Sequence, residues 1–394
     1  MQQTRRRTGT VGAVGSVAVG SMVANVCMYV VHLTASAHFL DVSEYGEFAV
    51  LLSAMLVLGV PAMALQNVIA REVVLGGDEG RLRRLGLVTT FWVVVFTAVA
   101  TPLVALLLRT DVATTAAALA SAPLLALIAA GQGILQGRGE FQVLSWVLAV
   151  VGIARSVPII GAFAAGAGPA GGLLAGTLGA AAAAVVVWLV VWSVARDGRS
   201  GRAPSGTAGV LSVVRASQVQ LVLIVASSID LLLSPRVLDA EEVGVYALGA
   251  IATKVAFWLP QAIGVVFYPR LADPARSAAS LRQAVAVVAG IGVVLTVLAG
   301  AAGPIVPFVF GDGYDALVPI LWLFAYIGAA LAVLQVVLLS AIARDRTRVA
   351  LGTWVVVAAE VLVIVTVTGS VIGVAGTAAV AVTIAALGTW AVAR

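Results

Sequence analysis

The sequence predicts an all-α integral membrane protein of about twelve transmembrane helices, arranged as two parallel six-helix repeats around a central cavity. Three observations predict it. Hydrophobic residues make up 61% of the 394 residues and charged residues only 10%, with a mean hydropathy of +1.11. A soluble globular chain carries about 25% charged residues, so this one cannot cover a water-facing surface. Apolar runs of about 18 or more residues, enough to cross ~30 Å of hydrocarbon as helix, recur along the whole length. Finally, a short acidic phrase, LDVSEYGEFA at 40–49, returns as LDAEEVGVYA at 238–247, half a chain later.

Taken between polar breaks, the apolar runs place helices at about 11–38, 46–68, 86–108, 113–133, 142–164, 171–194, 209–233, 244–267, 284–303, 316–340, 349–368 and 374–392. The basic start, TRRRTGTVGAVGSVAVGS, has the charge and apolarity of a signal peptide. Its apolar run continues to about Phe39 without a clear cleavage site, so a retained first helix is expected. The fifth and sixth helices are separated only by the Gly/Pro stretch AAGAGPAGG.

Charge supports the count. With both termini inside, 18 of the 22 Arg fall in inner segments, and only Arg109 and Arg236 lie in outer loops. Positive loops resist translocation, so this asymmetry orients the chain. The net charge of +5 therefore reads as a topology signal, and no nucleic-acid partner is expected. Trp92, Trp146, Trp192, Trp354 and Trp390 fall near expected inner helix ends, as interfacial anchors do. Cys27 is the single cysteine, so no intrachain disulfide can form.

The repeated phrase lies at the same place in each half, in the expected outer loop leading into the second helix of a six-helix set. Pro61 corresponds to Pro260 and Arg71 to Arg270 at a shift of 199. Two domains follow, 1–200 and 205–394, joined by the polar segment RDGRSGRAPSGTAG. An even number of helices per repeat makes the halves parallel, the arrangement of transporters whose site lies between two rocking bundles.

Ionisable residues inside a membrane cost roughly 2.5–3.5 kcal/mol at a helix centre on insertion scales, so each embedded one needs a partner or a purpose. They are His32, Arg155, Arg215, Asp230, Lys254 and Glu360. Ser21, Asn25 and His32 share one face of the first helix, and Asp230 stands at the equivalent of His32 (32 + 198 = 230). Arg215, Gln218 and Asp230 share an arc of the seventh helix. These two polar stripes either line the cavity or bond helices together. Arg155 and Lys254 suit an anionic head group, with Arg155 able to donate bidentately; the other reading is an internal ion pair with Glu360.

Enzyme signatures are absent. No Gly-Lys-Ser/Thr phosphate loop occurs, two His cannot form a His-Glu-x-x-His metal site, and there is no Asp-x-Asp. The chain is expected to be no enzyme and to need no metal or cofactor.

The phrase Leu-Asp-x-x-Glu-x-Gly-x-aromatic-Ala, the Pro-bearing second helix and the Arg-led inner loop resemble the polysaccharide flippases of the multidrug/oligosaccharidyl-lipid/polysaccharide exporter superfamily. SSIDLLLSPRVLDAEEVGVYALGAIATKVAFWLPQAIGVVFYPRLAD and FGDGYDALVPILWL carry the resemblance furthest. It implies a multi-pass protein of the bacterial plasma membrane. Its substrate would be a polyprenyl-pyrophosphate-linked oligosaccharide, flipped from inner to outer leaflet by alternating access. Partners would be membrane lipids and the glycosyltransferases and glycan polymerase of the same pathway. On this reading Arg155, Lys254, Arg215, Gln218 and Asn25 bind substrate, and His32, Asp230 and Glu360 serve coupling. The alternatives are a cation-coupled multidrug exporter or a lipid II flippase of the same superfamily and, from another class, a membrane glycan polymerase.

Overall fold

In the computed structural model, the backbone is described for residues 2–195, 221–258, 277–343 and 349–393, and all of its regular structure is helical. Among the described residues nine helices are long and apolar enough to cross a membrane, and Leu351–Val367 is a shorter apolar one. The chain is a multi-pass membrane protein.

The first half runs α1 (Gln2–Thr34), α2 (Val42–Leu58), α3 (Val60–Val74), α4 (Glu79–Leu108), α5 (Val112–Leu119), α6 (Ser121–Gly137), α7 (Phe141–Ala164) and α8 (Pro169–Ala195). The pairs α2–α3 and α5–α6 are each one span, Val42–Val74 and Val112–Gly137, so six spans result. The second half runs α9 (Ile229–Val237), α10 (Ala240–Trp258), α11 (Ser277–Ala302), α12 (Val306–Phe310), α13 (Leu321–Ala343), α14 (Val349–Val367) and α15 (Val371–Ala393). With α12 extending the α11 span to Phe310, the described spans here are Leu281–Phe310, Leu321–Leu338 and Val371–Ala391, beside the shorter apolar Leu351–Val367.

Sequence chemistry explains the breaks. Pro61 lacks an N–H and kinks the second span at Gly59, between α2 and α3. Its equivalent Pro260, like Arg270, lies outside the described residues. Gly166, at φ 83°, takes the left-handed conformation that turns the chain between α7 and α8, so the narrow split expected there is real.

The main correction concerns the acidic phrases, which are helix starts and not loops. In both, Asp and Glu form a reciprocal capping box. The Glu44 N–H donates to Asp41 Oδ1 at 2.8 Å, and the Asp41 N–H donates back to Glu44 Oε2 at 3.2 Å. The Glu242 N–H donates to Asp239 Oδ1 at 2.8 Å, and the Asp239 N–H to Glu242 Oε2 at 3.3 Å. Each pair satisfies backbone donors that a helix start leaves open, so α2 and α10 begin about four residues before the expected 46 and 244. The tenth span errs the other way. Asp312–Leu317 is a 3-10 turn, and α13 begins at Leu321 instead of 316.

Two compact units emerge: residues 1–35 with 55–218, and residues 36–54 with 219–394. The second span passes from one to the other between Ala54 and Met55. In the first unit α7 packs on α1 and α8, while α6 packs on α3, α4 and α8 around Leu65, Ile69, Ile134, Leu135, Val187 and Val191. One end is stapled by Arg138, which grips both Glu79 oxygens at 2.7 Å and donates to the Val194 carbonyl at 2.8 Å. In the second unit α13 is central, flanked by α10, α11 and α15, and α14 packs on α9 and α15.

Candidate functional site

The second unit holds three embedded charges of the second half, Asp230, Lys254 and Glu360. Asp230 is the second residue of α9, just after a turn at Ser227–Ser228 that interrupts the seventh span. Its carboxylate accepts from the Leu231 N–H. A helix start favours an anion here, because its first N–H groups point outward with partial positive charge. The Tyr246 hydroxyl on α10 also donates to Asp230 Oδ2 at 2.7 Å. Tyr246 is fully buried and Asp230 is 4% exposed.

Two turns further along α10, Lys254 Nζ donates to Ser53 Oγ on α2 at 2.7 Å. Lys254 lies within electrostatic range of Asp230. Glu360 of α14, also buried, lies within range of both Asp230 and Tyr246. The Thr253 hydroxyl donates to the Phe324 carbonyl at 2.9 Å, and the Tyr246 and Phe324 rings meet edge to face at 5.0 Å. Asp230 thus stands within range of Lys254 on α10 and Glu360 on α14, and Tyr246 and Ser53 bond to Asp230 and Lys254 respectively.

The first unit differs in charge. Arg155 lies about two-thirds of the way along α7, half-buried, with no hydrogen-bond or ion-pair partner among the described residues. Between their end turns, the described spans of this unit carry no carboxylate. His32 is buried at the end of α1, beside the π-helical turn Ala35–Phe39. Irregular backbone thus lies near both equivalent polar residues, a π-helical turn after His32 and the Ser227–Ser228 turn before Asp230. Asn25 is exposed on α1. Arg215 and Gln218 lie outside the described residues.

Tyr246 and Ser53 escaped the sequence reading. The signal for Tyr246 was its hydroxyl, since the repeat places Phe48 at the equivalent position. For Ser53 it was a lone hydroxyl within AVLLSAMLVL. At the expected outer end, Asp41 is held below the usual carboxylate range by the Glu44 N–H and then by the Ser43 hydroxyl. Tyr314 nearby is raised by burial and by the Asp41 charge.

Among the described residues no group of three or more His, Cys, Asp or Glu could hold a metal ion. A cavity of about 300 Å³ lies among α11, α13 and α15, lined by Gly292, Thr296, Tyr326, Ala329 and Thr383. It touches none of the cluster residues.

No protein-family profile and no curated protein sequence matches the chain. Solved structures do. An inward-facing multidrug resistance MATE family transporter of the MOP superfamily matches with a TM-score of 0.77 at 12% identity, covering 97% of each chain. An outward-facing multidrug resistance MATE transporter matches at 0.59 and 14% identity, covering 97% of this chain and 94% of that one. A MOP superfamily transporter from Pyrococcus furiosus, whose reversed binding-pocket polarity suggests a different function, matches at 0.60 and 12% identity, covering 97% and 95%. With nearly full coverage in both directions, the chain has the fold of the MOP superfamily transporters.

Proposed function

We propose that this chain is an alternating-access transporter of the bacterial plasma membrane, with both termini in the cytoplasm. It flips a polyprenyl-pyrophosphate-linked oligosaccharide from the inner to the outer leaflet. The observation that carries this reading is Arg155. A guanidinium in a membrane span is costly without a partner, and Arg155 has none among the described residues, whose surrounding spans supply no carboxylate to neutralise it. A pyrophosphate crossing the low-dielectric centre needs such a cation, and Arg can meet it bidentately. The resemblance of the repeated acidic phrase to polysaccharide flippases names the same substrate class. Glycosyltransferases and a glycan polymerase would then act before and after this step. Coupling falls to the buried polar residues His32, Asp230 and Glu360.

A second reading, a cation-coupled multidrug exporter, is favoured by the MATE transporters whose fold the chain shares. The two are separated by purified protein in sealed vesicles carrying the lipid-linked oligosaccharide in one leaflet. A lectin added outside detects glycan that has crossed, and the unchanged length of that glycan excludes a polymerase. Uptake of a cationic dye without glycan movement would establish the exporter instead.

A further inference from the structure

We infer that Lys254 is a built-in counter-cation that takes the place of a soluble coupling ion in the second unit's carboxyl cluster, making the transporter independent of sodium. The inference rests on the transporter reading only for its place in coupling; the charge argument stands on the cluster alone.

Asp230 is 4% and Glu360 6% exposed, and they lie within electrostatic range of one another. Two like charges so placed in an apolar bundle require a cation or the loss of a charge. Lys254 supplies the cation from within the chain. Its ammonium has three donors, one of which is spent on Ser53 Oγ at 2.7 Å. With every group ionised the cluster sums to (−1) + (−1) + (+1) = −1, so a proton on one carboxyl balances it without any metal ion. The Tyr246 hydroxyl, donating to Asp230 Oδ2, occupies an oxygen that an entering cation would otherwise take.

The repeat shows that this charge is particular to the second half. Positions 55 and 56, equivalent to 254 at shifts of 199 and 198, are Met and Leu. Lys254→Met therefore reproduces chemistry the fold already accepts, and leaves Asp230 and the Ser53 hydroxyl facing a vacated cationic position, with Glu360 in range of Asp230. Oxygen donors of that kind suit a hard cation such as sodium.

The test uses the full-length chain in detergent, unfolded by heat in sodium, lithium, potassium or choline chloride at matched ionic strength. The wild type is expected to unfold at one temperature in all four salts. Lys254→Met is expected to be less stable in choline and to regain several degrees in sodium, with saturation. A saturable sodium-specific shift in the wild type overturns the inference, as does a folded Lys254→Met chain indifferent to every cation. Should that variant not fold in any salt, binding of radioactive sodium to the wild type decides: saturable binding refutes the built-in cation, and none upholds it. Neither measurement requires transport, so failure here is distinct from failure of the flippase reading.

Discussion

Gly46 and Gly244, equivalent in the repeat (46 + 198 = 244), meet backbone to backbone. A Cβ on Gly46 would stand 2.8 Å from the Gly244 nitrogen, and one on Gly244 would collide with the Val42 carbonyl oxygen. The two copies of the acidic phrase thus cap α2 and α10 and then press those helices together at their shared glycine. Any side chain there must move main chain, and overpacking of this kind costs about 1–3 kcal/mol. Gly46→Ala and Gly244→Ala should each lower thermal stability in detergent by about that much. Gly161→Ala, which meets nothing within 4 Å, should not.

The first capping box has a pH signature. The Asp41 carboxyl is held below its ordinary value of about 3.9, so its contribution is present above that pH and is lost as pH falls through the lower native value. Asp41→Asn keeps an acceptor but cannot titrate, and should flatten the acid limb of the stability profile. Asp239→Ala should cost about 1 kcal/mol at neutral pH, and Asp239→Ser much less.

Tyr246→Phe isolates one hydrogen bond, because Phe48 shows that the ring fits the equivalent place. Losing the donor to a buried carboxylate should cost about 1.5–3 kcal/mol in thermal unfolding. Unchanged stability would mean that Asp230 carries no charge to satisfy.

Topology can be read by labelling. In a Cys27→Ser background, Ser43→Cys and Glu241→Cys should react with an impermeant thiol reagent on intact cells. Arg81→Cys should react only after permeabilisation. Labelling of only one of the first two would break the parallel repeat.

The six spans of the first half were legible because hydropathy is a local signal that the membrane enforces. Asp41-x-x-Glu44 and Asp239-x-x-Glu242 were visible as a repeat. Their charge, however, suggested loops, while their spacing is that of a capping box. The cluster was legible only in its charged members. Asp230, Lys254 and Glu360 each stand out in an apolar helix, but nothing local says that three helices bring them together. Tyr246 and Ser53 enter through hydrogen bonds to residues far away in sequence, which no periodicity records.

The central claim is that Arg155 shields a pyrophosphate in transit, and the vesicle assay tests it most directly when run on charge variants of that residue. Wild-type protein should expose lipid-linked glycan to the outer lectin. Arg155→Lys should retain part of the rate, since the charge survives without the planar fork, and Arg155→Ala should abolish it while inserting normally. Glycan export by Arg155→Ala at the wild-type rate would contradict the account.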